Sequence, residues 1–388
     1  MIYIASCYFQ KNYGSALQAY ATQKVLEQFG IDNKTICHDG FSAYIKKRKI
    51  KYYITRFYKS DAFVAQIKRY SLVFRRKTNK KFAANIDKRE RKFDEFTGKY
   101  FSLTEPCGFT DLSVLCENAE AVIVGSDQLW LPSNIYADYY TLSFVPDNVK
   151  KISYATSFGI SELNKKTKEK CSFLGRFNYI STREETGRIL IKSVTDKPCE
   201  VVCDPTLLFD EHDWHEMQKE NRKYEEEYIF CYFLGNNKWQ RKWAKQLKDL
   251  TGLKVVSLIH LDEYLKCDLN YADYTPFDID PADFVNLIRG AEYVCTDSFH
   301  ATAFSMIFKK KFYTFRRFCK SHSASTNSRL DSLLSKVDLT ERIINENTSP
   351  LEALKLSIDY VEVDKKLSEF REYSKKWLKK SFEDSFFD

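Results

Sequence analysis

A strand, a polar loop and a helix follow one another in residues 1–30, which read MIYIASCYFQ KNYGSALQAY ATQKVLEQFG. The apolar run 2–7 is typical of a buried strand, and apolar residues recur at helical spacing from about 16 to 29. Gly30 is a natural C-terminal stop for that helix. These residues therefore predict the first unit of an α/β domain.

The same alternation continues along the rest of the chain. Strand-like runs occupy 121–124, 151–155 and 179–181, and a second series includes 228–233 and 293–296. Strands that alternate with helical segments indicate parallel sheets with helices on both faces. The expected fold class is therefore α/β, with two Rossmann-like domains that face each other across a cleft.

Domain limits follow from the chain length and from the point where the alternation restarts. A chain of 388 residues fits two domains. We expect an N-terminal domain at 1–205 with a helical insertion at about 45–100, and a C-terminal domain at 206–345. Residues 346–388 are expected to form a helical tail that packs back across the junction.

Charge is concentrated in one segment. Residues 46–99 hold 19 Lys/Arg and 5 Asp/Glu and so carry +14, whereas the whole chain carries +8, which leaves −6 for the remainder. This segment has three interpretations: solvated helical faces, a patch that binds an anionic membrane surface, or a nucleic-acid site. The acidic remainder and the lack of a known motif make nucleic acid the least favoured partner.

Several classes of protein are excluded by what the sequence lacks. It contains no apolar run of 18 residues, and its first residues lack the basic start of a signal peptide. Its 11 cysteines are scattered without CxxC spacing, which favours a reducing cytoplasm and no structural zinc. The G-x-G-x-x-G, Walker A and G-x-S-x-G motifs are also absent. We therefore expect a cytoplasmic protein without a metal or a cofactor.

Polar tetrads follow four of the predicted strands, at 125–128, 156–159, 182–185 and 297–300. In open α/β sheets, ligands bind in the crevice outside the carboxyl ends of the strands. The loop 12–15 opens the first helix, where unpaired backbone N–H groups attract an anion, although this feature alone favours a plain helix cap with a tight turn.

Three residues of these tetrads have side chains suited to catalysis or anion binding. His300 lies between a strand and a helix, and histidine is the usual acid or base near neutral pH. Arg183 has a planar guanidinium that matches phosphate or carboxylate; alternatively it forms an ion pair with Glu184, Glu185 or another acid. Asp127, like Asp204, is either a base or a cap.

The ordered series of motifs resembles the polysaccharide pyruvyl transferase family. Singly each motif is weak, but together they span residues 1 to about 345. The series is Asn12-Tyr13-Gly14-Ser15-Ala16-Leu17-Gln18, Gly125-Ser126-Asp127-Gln128-Leu129-Trp130, Thr156-Ser157-Phe158-Gly159, Thr182-Arg183-Glu184-Glu185, Asp204-Pro205-Thr206, Thr296-Asp297-Ser298-Phe299-His300 and Asn327-Ser328-Arg329-Leu330.

The resemblance implies a GT-B-like fold and a reaction with phosphoenolpyruvate as co-substrate. The pyruvyl group would be placed on two hydroxyls of a sugar, as a cyclic ketal on a surface polysaccharide or its lipid-linked precursor. His300 and Arg183 would belong to the phosphoenolpyruvate site. The other interpretations are a GT-B glycosyltransferase that uses a nucleotide sugar, and a non-catalytic sugar-binding relative.

Ten residues are expected to form the site under this interpretation. The expected catalytic residues are His300 and Asp127; the donor-binding residues are Arg183, Ser298, Arg329, Asn12 and Gly14; and the acceptor-binding residues are Gln18, Gln128 and Ser157.

One tetrad departs from the family pattern. Many members have Asp-Arg-Leu-His where this chain has Asp297-Ser298-Phe299-His300. An arginine that could hold the donor is therefore missing at position 298. Arg329, Arg316 and Arg317 are the candidates to replace it.

If the acceptor is lipid-linked, the basic segment 46–99 gains a function. The enzyme would work at the inner face of the cell membrane, and polybasic attraction is worth about 1 kcal/mol per Lys or Arg near an anionic surface. We therefore expect peripheral association with an anionic membrane.

Overall fold

The opening residues form the strand β1 (Ile2–Ala5) and the helix α1 (Tyr13–Gln28). The structure is a computed structural model that describes residues 1–55, 72–218, 223–260, 264–317 and 328–383. The helix begins three residues before the predicted start because Asn12 caps it, accepting a 3.2 Å hydrogen bond from Ser15 N. Gly30, with φ +73°, follows its end.

The first sheet has six parallel strands in the order β2-β1-β3-β4-β5-β6. The strands after β1 are β2 (Asn33–Thr35), β3 (Ala121–Asp127), β4 (Lys150–Thr156), β5 (Tyr179–Thr182) and β6 (Glu200–Val201). Strand β3 runs three residues past its predicted end, so Asp127 is its last residue. Successive residues of β3 alternate between two apolar clusters, which shows that both faces of this sheet are covered.

The second sheet has five parallel strands in the order β11-β10-β9-β7-β8. Its strands are β7 (Tyr228–Tyr232), β8 (Lys254–Ser257), β9 (Tyr293–Thr296), β10 (Lys311–Phe315) and β11 (Ile343–Ile344). Strand β9 has the predicted bounds, and the two-residue β11 was not predicted.

Helices connect the strands of both sheets. After α1 they are α2 (Ser42–Ile54), α3 (Lys80–Tyr100), α4 (Leu112–Cys116), α5 (Pro132–Ala137), α6 (Lys165–Lys170), α7 (Glu185–Lys192), α8 (Lys238–Thr251), α9 (Pro281–Gly290), α10 (Phe299–Ile307), α11 (Ser328–Lys336), α12 (Pro350–Ala353) and α13 (Tyr360–Glu383). Helix α7 was not predicted.

The basic insertion is helical in its described parts, which are α2, residues 72–78 and α3. Residues 56–71 of this segment lie outside the described residues. Arg89 of α3 is buried and donates to Ile259 O (2.8 Å) and Pro276 O (3.0 Å) in the second domain. The insertion therefore bridges the two domains, and its cations are not all on a solvated face.

The C-terminal helix α13 spans the junction between the domains. At its start, Tyr360 packs against the second domain and its hydroxyl donates to Lys310 O. Further along, Ser374 Oγ accepts from Cys203 N (2.9 Å), and Trp377 packs against Tyr154 of β4. This helix therefore packs back across the junction, as predicted.

The predicted fold class is confirmed by the two parallel sheets, by the helices around them and by the tail across the junction. The first sheet ends at Val201 and the second begins at Tyr228. We keep 1–205, 206–345 and 346–388 as proposed domain limits. Within the described ranges, no helix has both the length and the apolar character needed to cross a bilayer.

Candidate active site

The topological switch points of the two sheets meet at the domain interface. Strand order reverses between β1 and β3 in the first sheet, and between β7 and β9 in the second. Gly14, after β1, contacts His300, after β9, so closely that a Cβ on Gly14 would overlap His300 Nδ1. Because ligands of open α/β sheets bind at switch points, this contact marks a candidate site shared by both domains.

Asp127 ends β3 at the centre of this site. Its backbone is left-handed (φ +78°), an uncommon conformation that is found more often at functional sites. Ser15 Oγ donates a 2.7 Å hydrogen bond to Asp127 Oδ2. Burial raises the pKa of Asp127, but the charges of Arg183, His300 and Arg329 outweigh it, so the net pKa is lowered. Asp127 is therefore a carboxylate at neutral pH.

Arg183 and Asp204 form the buried ion pair of the site. Arg183 Nη1 lies 2.6 Å from Asp204 Oδ2, and Arg183 Nη2 lies 3.5 Å from Asp127 Oδ1. The guanidinium also stacks over Phe299, 4.4 Å from the ring centroid. Burial raises the pKa of Asp204, but His300 and Arg183 lower it by more. The net pKa is therefore well below its usual range. Asp204 therefore remains ionised at neutral pH.

Asp204 is also held by the backbone around it. Its Oδ1 accepts from Thr206 N (3.0 Å) and Thr206 Oγ1 (2.8 Å), and the Ser126 hydroxyl lies 3.0 Å from Oδ2. These bonds fix the carboxylate beside Arg183 and His300. Asp204 was considered as a base or a cap, but its pairing with Arg183 was not predicted, because 21 residues separate the two.

His300 lies in the first turn of α10 and is buried against the first domain. Its Nε2 is 3.6 Å from Asp204 Oδ2. That separation is too long for a direct hydrogen bond but allows charge attraction. The structure therefore places His300 between a carboxylate on one side and the backbone of Gly14 on the other.

Arg329 of α11 is the candidate arginine whose side chain reaches the cluster. It is buried, and its Nη1 lies 3.7 Å from Asp127 Oδ1. Burial lowers the pKa of Arg329 to about 10, and the nearby charge of Arg183 acts in the same direction. An anion beside Arg329 would raise its pKa and so offset the effects of burial and of the Arg183 charge.

The two other candidate arginines have different surroundings. Arg316 is part-exposed and pairs with Asp331 at 2.6 Å. Arg317 Nη2 donates to Asp297 O at 3.4 Å. Of the three, Arg329 is the one with a contact to Asp127, and its role toward a donor stays a prediction. Its neighbour Asn327, part of the same motif, lies outside the described residues.

Glu184 is a further buried acid that was not among the expected site residues. Ser157 Oγ donates a 2.6 Å hydrogen bond to Glu184 Oε1, and Arg183 Nε lies 3.9 Å from Glu184 Oε2. Burial raises the pKa of Glu184 despite the opposing charge of Arg183. Its position after Arg183 in a tetrad was the only sequence signal.

Five buried polar atoms of this site have no hydrogen-bond partner within the described ranges. They are Gln128 Nε2, Arg183 Nε, Glu184 Oε2, His300 Nε2 and Arg329 Nε. Buried polar atoms are nearly always paired, so a group of exceptions in one place needs an explanation. Both donors and acceptors are present, which fits an anionic ligand that also carries or accepts a proton.

A cavity of about 510 Å³ opens beside the ion pair. Arg183, Asp204 and Phe299 line one side, and residues of α11 such as Asp331 and Lys336 line the other. Within the described part of the chain, no group of three or more His, Cys, Asp or Glu is arranged to hold a metal ion.

Three expected ligand contacts do not fit the structure. Gln18 is fully buried; its Oε1 accepts from Ser126 N (2.8 Å) and its Nε2 donates to Ser15 O (2.9 Å). Ser157 is also fully buried, with its hydroxyl bound to Glu184. These two residues have no surface for a sugar, so they position the site instead of binding the acceptor.

Ser298 is the third of these residues. It is buried and caps α10, with Oγ accepting from Ala301 N at 3.4 Å. The neighbouring Asp297 accepts from Leu234 N (2.6 Å) and Gly235 N (2.8 Å), tying the end of β7 to the end of β9. Ser298 thus starts the helix that carries His300, which is a structural role rather than the expected donor contact.

The remaining expected residues lie near the cluster. Gln128 follows Asp127 and is half-buried, with its amide against Gly159. Asn12 and Gly14 open α1, directly beside His300. Their roles toward donor and acceptor stay predictions.

The chain has the GT-B fold, with two Rossmann-like domains. A putative UDP-N-acetylglucosamine 2-epimerase from Listeria monocytogenes has a TM-score of 0.51 and 9% identity, over 95% of this chain and 90% of that chain. The S. aureus MnaA–UDP co-structure has a TM-score of 0.48 and 10% identity, over 97% and 93% of the two chains. E. coli heptosyltransferase WaaC has a TM-score of 0.35 and 12% identity, over 86% and 98%. No curated protein sequence matches the chain significantly.

The particular family is given by the sequence. The family model for polysaccharide pyruvyl transferase matches residues 12–317, which is most of the chain. The protein therefore belongs to the polysaccharide pyruvyl transferase family, as its ordered motifs indicated, and is a transferase of the GT-B fold.

Proposed function

We propose that this protein transfers the pyruvyl group of phosphoenolpyruvate to two hydroxyls of one sugar, forming a cyclic ketal. The observation that carries the proposal is the group of unpartnered buried polar atoms around Arg183, Arg329 and His300. Phosphoenolpyruvate bears a carboxylate and a phosphate, which guanidinium groups bind through charge-assisted hydrogen bonds. No cofactor is required for this reaction.

Donor binding is assigned to the two arginines. Arg183 is fixed by Asp204 and stacks on Phe299, so it offers a rigid donor face. Arg329 enters from α11 and is only loosely paired with Asp127. An anionic donor would stabilise the charged form of Arg329, whose pKa burial lowers.

Proton transfer is assigned to His300. In the proposed reaction, His300 gives a proton to the methylene carbon of phosphoenolpyruvate, and a sugar hydroxyl attacks C2. The phosphate then leaves, and a neighbouring hydroxyl closes the ketal at the same carbon. Two hydroxyl protons are lost, which balance the proton on the new methyl group and the one on phosphate. Asp127, an ionised carboxylate within the cluster, is the proposed base for a hydroxyl.

A membrane contact is proposed for the basic segment 46–99. If the acceptor is lipid-linked, the clustered Lys and Arg of this segment would attract anionic headgroups at the inner face of the membrane. Co-sedimentation with vesicles checks this proposal. Binding that is equal for neutral and anionic vesicles, or is absent, would contradict it.

Phosphate release tests the proposed reaction. Phosphoenolpyruvate is incubated with the protein and a panel of methyl galactosides, methyl mannosides and lipid-linked sugars. We expect release only when an acceptor is present, together with a pyruvylated sugar in the mass spectrum. Absence of release with every acceptor contradicts the proposal, and nucleotide-sugar binding would then be measured for the glycosyltransferase alternative.

A further inference from the structure

The helix α2 opens the basic insertion and contains no acidic residue. Its sequence, SAYIKKRKIKYYI, holds five cations: Lys46, Lys47, Arg48, Lys49 and Lys51. Because the helix has no carboxylate of its own, its cations must face solvent, another part of the chain or an anionic partner. The way in which the side chains are arranged around the helix therefore decides what α2 can bind.

One side of α2 packs on the first domain. Ile45 is buried in an apolar cluster of that domain. Arg48 Nε donates to Tyr136 O of α5 (3.1 Å), and the rings of Tyr52 and Tyr136 lie 5.0 Å apart. Positions 45, 48 and 52 recur at helical spacing, so they form one face of the helix. These contacts fix which side of α2 points away from the protein.

The opposite side, the outer face of α2, is formed by five exposed residues: Lys46, Lys47, Ile50, Lys51 and Ile54. The side chains of Ile50 and Ile54 are one helical turn apart, and the two residues are 38% and 64% exposed. In the described part of the chain, the ion pair of α2 is made by Arg48 with Asp138 at 3.6 Å, and not by the three lysines. The outer face therefore presents two apolar side chains among three unneutralised cations.

An anionic bilayer matches both features of the outer face. Its headgroups attract lysine, and the boundary between headgroups and acyl chains accepts apolar side chains. A protein partner fits less well, because lysine is depleted in protein–protein interfaces. A nucleic acid would match the lysines but would offer the isoleucines no apolar medium.

We propose that α2 lies flat on an anionic membrane through its outer face. Ile50 and Ile54 enter the boundary between headgroups and acyl chains. The three lysines lay their apolar stems along the same surface and place their ammonium groups among the headgroup phosphates. The inference rests on the membrane contact of the proposed function: it assigns the surface that makes this contact and adds an apolar contribution to it.

Co-sedimentation of the whole protein with vesicles tests this surface. The vesicles contain phosphatidylcholine alone, or phosphatidylcholine with phosphatidylglycerol. Ile50→Ser combined with Ile54→Ser removes the apolar pair. A second variant combines Lys46→Gln, Lys47→Gln and Lys51→Gln and removes three charges.

Matched controls carry the same kinds of substitution on other exposed surfaces. Leu351→Ser combined with Val361→Ser removes two exposed apolar side chains of α12 and α13. Lys376→Gln, Lys379→Gln and Lys380→Gln together remove three charges from α13. Because all the substituted residues are exposed, the four variants should fold like the wild type, which circular dichroism checks.

We expect the double isoleucine variant to bind anionic vesicles about tenfold less tightly, since two partly buried isoleucines are lost. The triple lysine variant should bind about 100-fold less tightly, because each lysine near an anionic surface contributes roughly a factor of five. Both controls should bind like the wild type.

Wild-type binding to anionic vesicles that neither α2 variant weakens would overturn the assignment of this face. A dimer that forms through this face without vesicles, and that the isoleucine substitutions abolish, would overturn it in favour of a second copy of the chain. Phosphate release with a soluble glycoside is measured separately and should be equal in all variants. Failure of that reaction in the wild type would contradict pyruvyl transfer and not the assigned face.

Discussion

Two buried aspartate–histidine pairs, Asp204–His300 and Asp268–His260, use the same residue types in different ways. The imidazole Nδ1 of His260 is 2.6 Å from Asp268, whereas His300 Nε2 is 3.6 Å from Asp204. In both pairs burial raises the aspartate pKa, but the facing histidine and arginine lower it by more. The net pKa of each aspartate is therefore lowered. The difference between the two pairs therefore lies in their geometry.

The consequence is a difference in what each histidine can do. His260 is held in place by a direct hydrogen bond to Asp268. His300 lacks such a bond among the described residues, and it lies among polar atoms that are not satisfied. A loosely held imidazole beside a fixed carboxylate suits proton transfer, because its hydrogen bonds can tighten when substrate is bound.

The largest effect is expected for His300→Asn, compared with His260→Asn. Loss of a general acid should lower kcat by about 10²–10⁴-fold, whereas the acceptor KM should change little. His260 lies outside the candidate active site, so His260→Asn should leave kcat close to the wild-type value. Kinetics with saturating phosphoenolpyruvate measure kcat and the acceptor KM of both variants. A wild-type kcat in His300→Asn would show that His300 is not the general acid.

Asp204→Asn should chiefly reduce stability. It leaves Arg183 buried without its main counter-charge, which typically costs about 3–5 kcal/mol. Because the folded pKa of Asp204 is lowered, its contribution is present above the unfolded value of about 3.9 and is lost as pH falls. Urea unfolding at several pH values measures this loss.

The control for this prediction is Asp147→Asn. Asp147 pairs with Arg176 at 2.8 Å but is exposed, so its removal should have little effect. Equal destabilisation by the two substitutions would contradict the account of a buried ion pair. The account would also be contradicted if the free energy of unfolding of Asp204→Asn depended on pH below pH 5 as steeply as that of the wild type.

Gly14→Ala tests the contact between the domains. The added methyl group would overlap the His300 ring, so the ring must move, and displacement of a catalytic group by about 1 Å typically lowers the rate about 10²-fold. Gly98→Ala is the matched control, because a Cβ there meets no atom within 4 Å. Equal activity of the two variants would show that the His300 position is unimportant.

The smallest expected effect is for Arg329→Lys. Lysine keeps the charge but loses the planar fork, so the donor KM should rise about tenfold while the fold is retained. Arg316→Lys, at a part-exposed arginine paired with Asp331, should leave the donor KM unchanged. A donor KM that responds to Arg316 instead would mean that the wrong arginine has been selected.

Most of the fold was predictable from the sequence because its strands are short apolar runs between polar loops. Strand β9 was placed at its exact bounds. Helix α7 was missed because its apolar residues are few and its start, at Glu185, was assigned to a tetrad loop. The start of α1 was misplaced because the capping role of Asn12 depends on a side-chain contact.

The positions of the site residues along the chain could be predicted from the sequence, but the contacts between their side chains could not. The tetrads located Asp127, Arg183 and His300 at the carboxyl ends of strands, where the structure brings them together. Burial could not be determined from the pattern, so Gln18 was assigned to a ligand although it is enclosed by protein. The burial of His260 could not be read from the pattern either, since its partner Asp268 is recognised only in the folded chain.

The most direct measurement is ¹³C NMR of the product formed from phosphoenolpyruvate labelled at C2, with the acceptor that supports phosphate release. We predict that the label becomes a quaternary ketal carbon bonded to two oxygens of one sugar, with a new methyl group, and that His300→Asn forms no such product. Label found only in free pyruvate, or in an enol ether that retains its methylene carbon, would contradict ketal formation by this site.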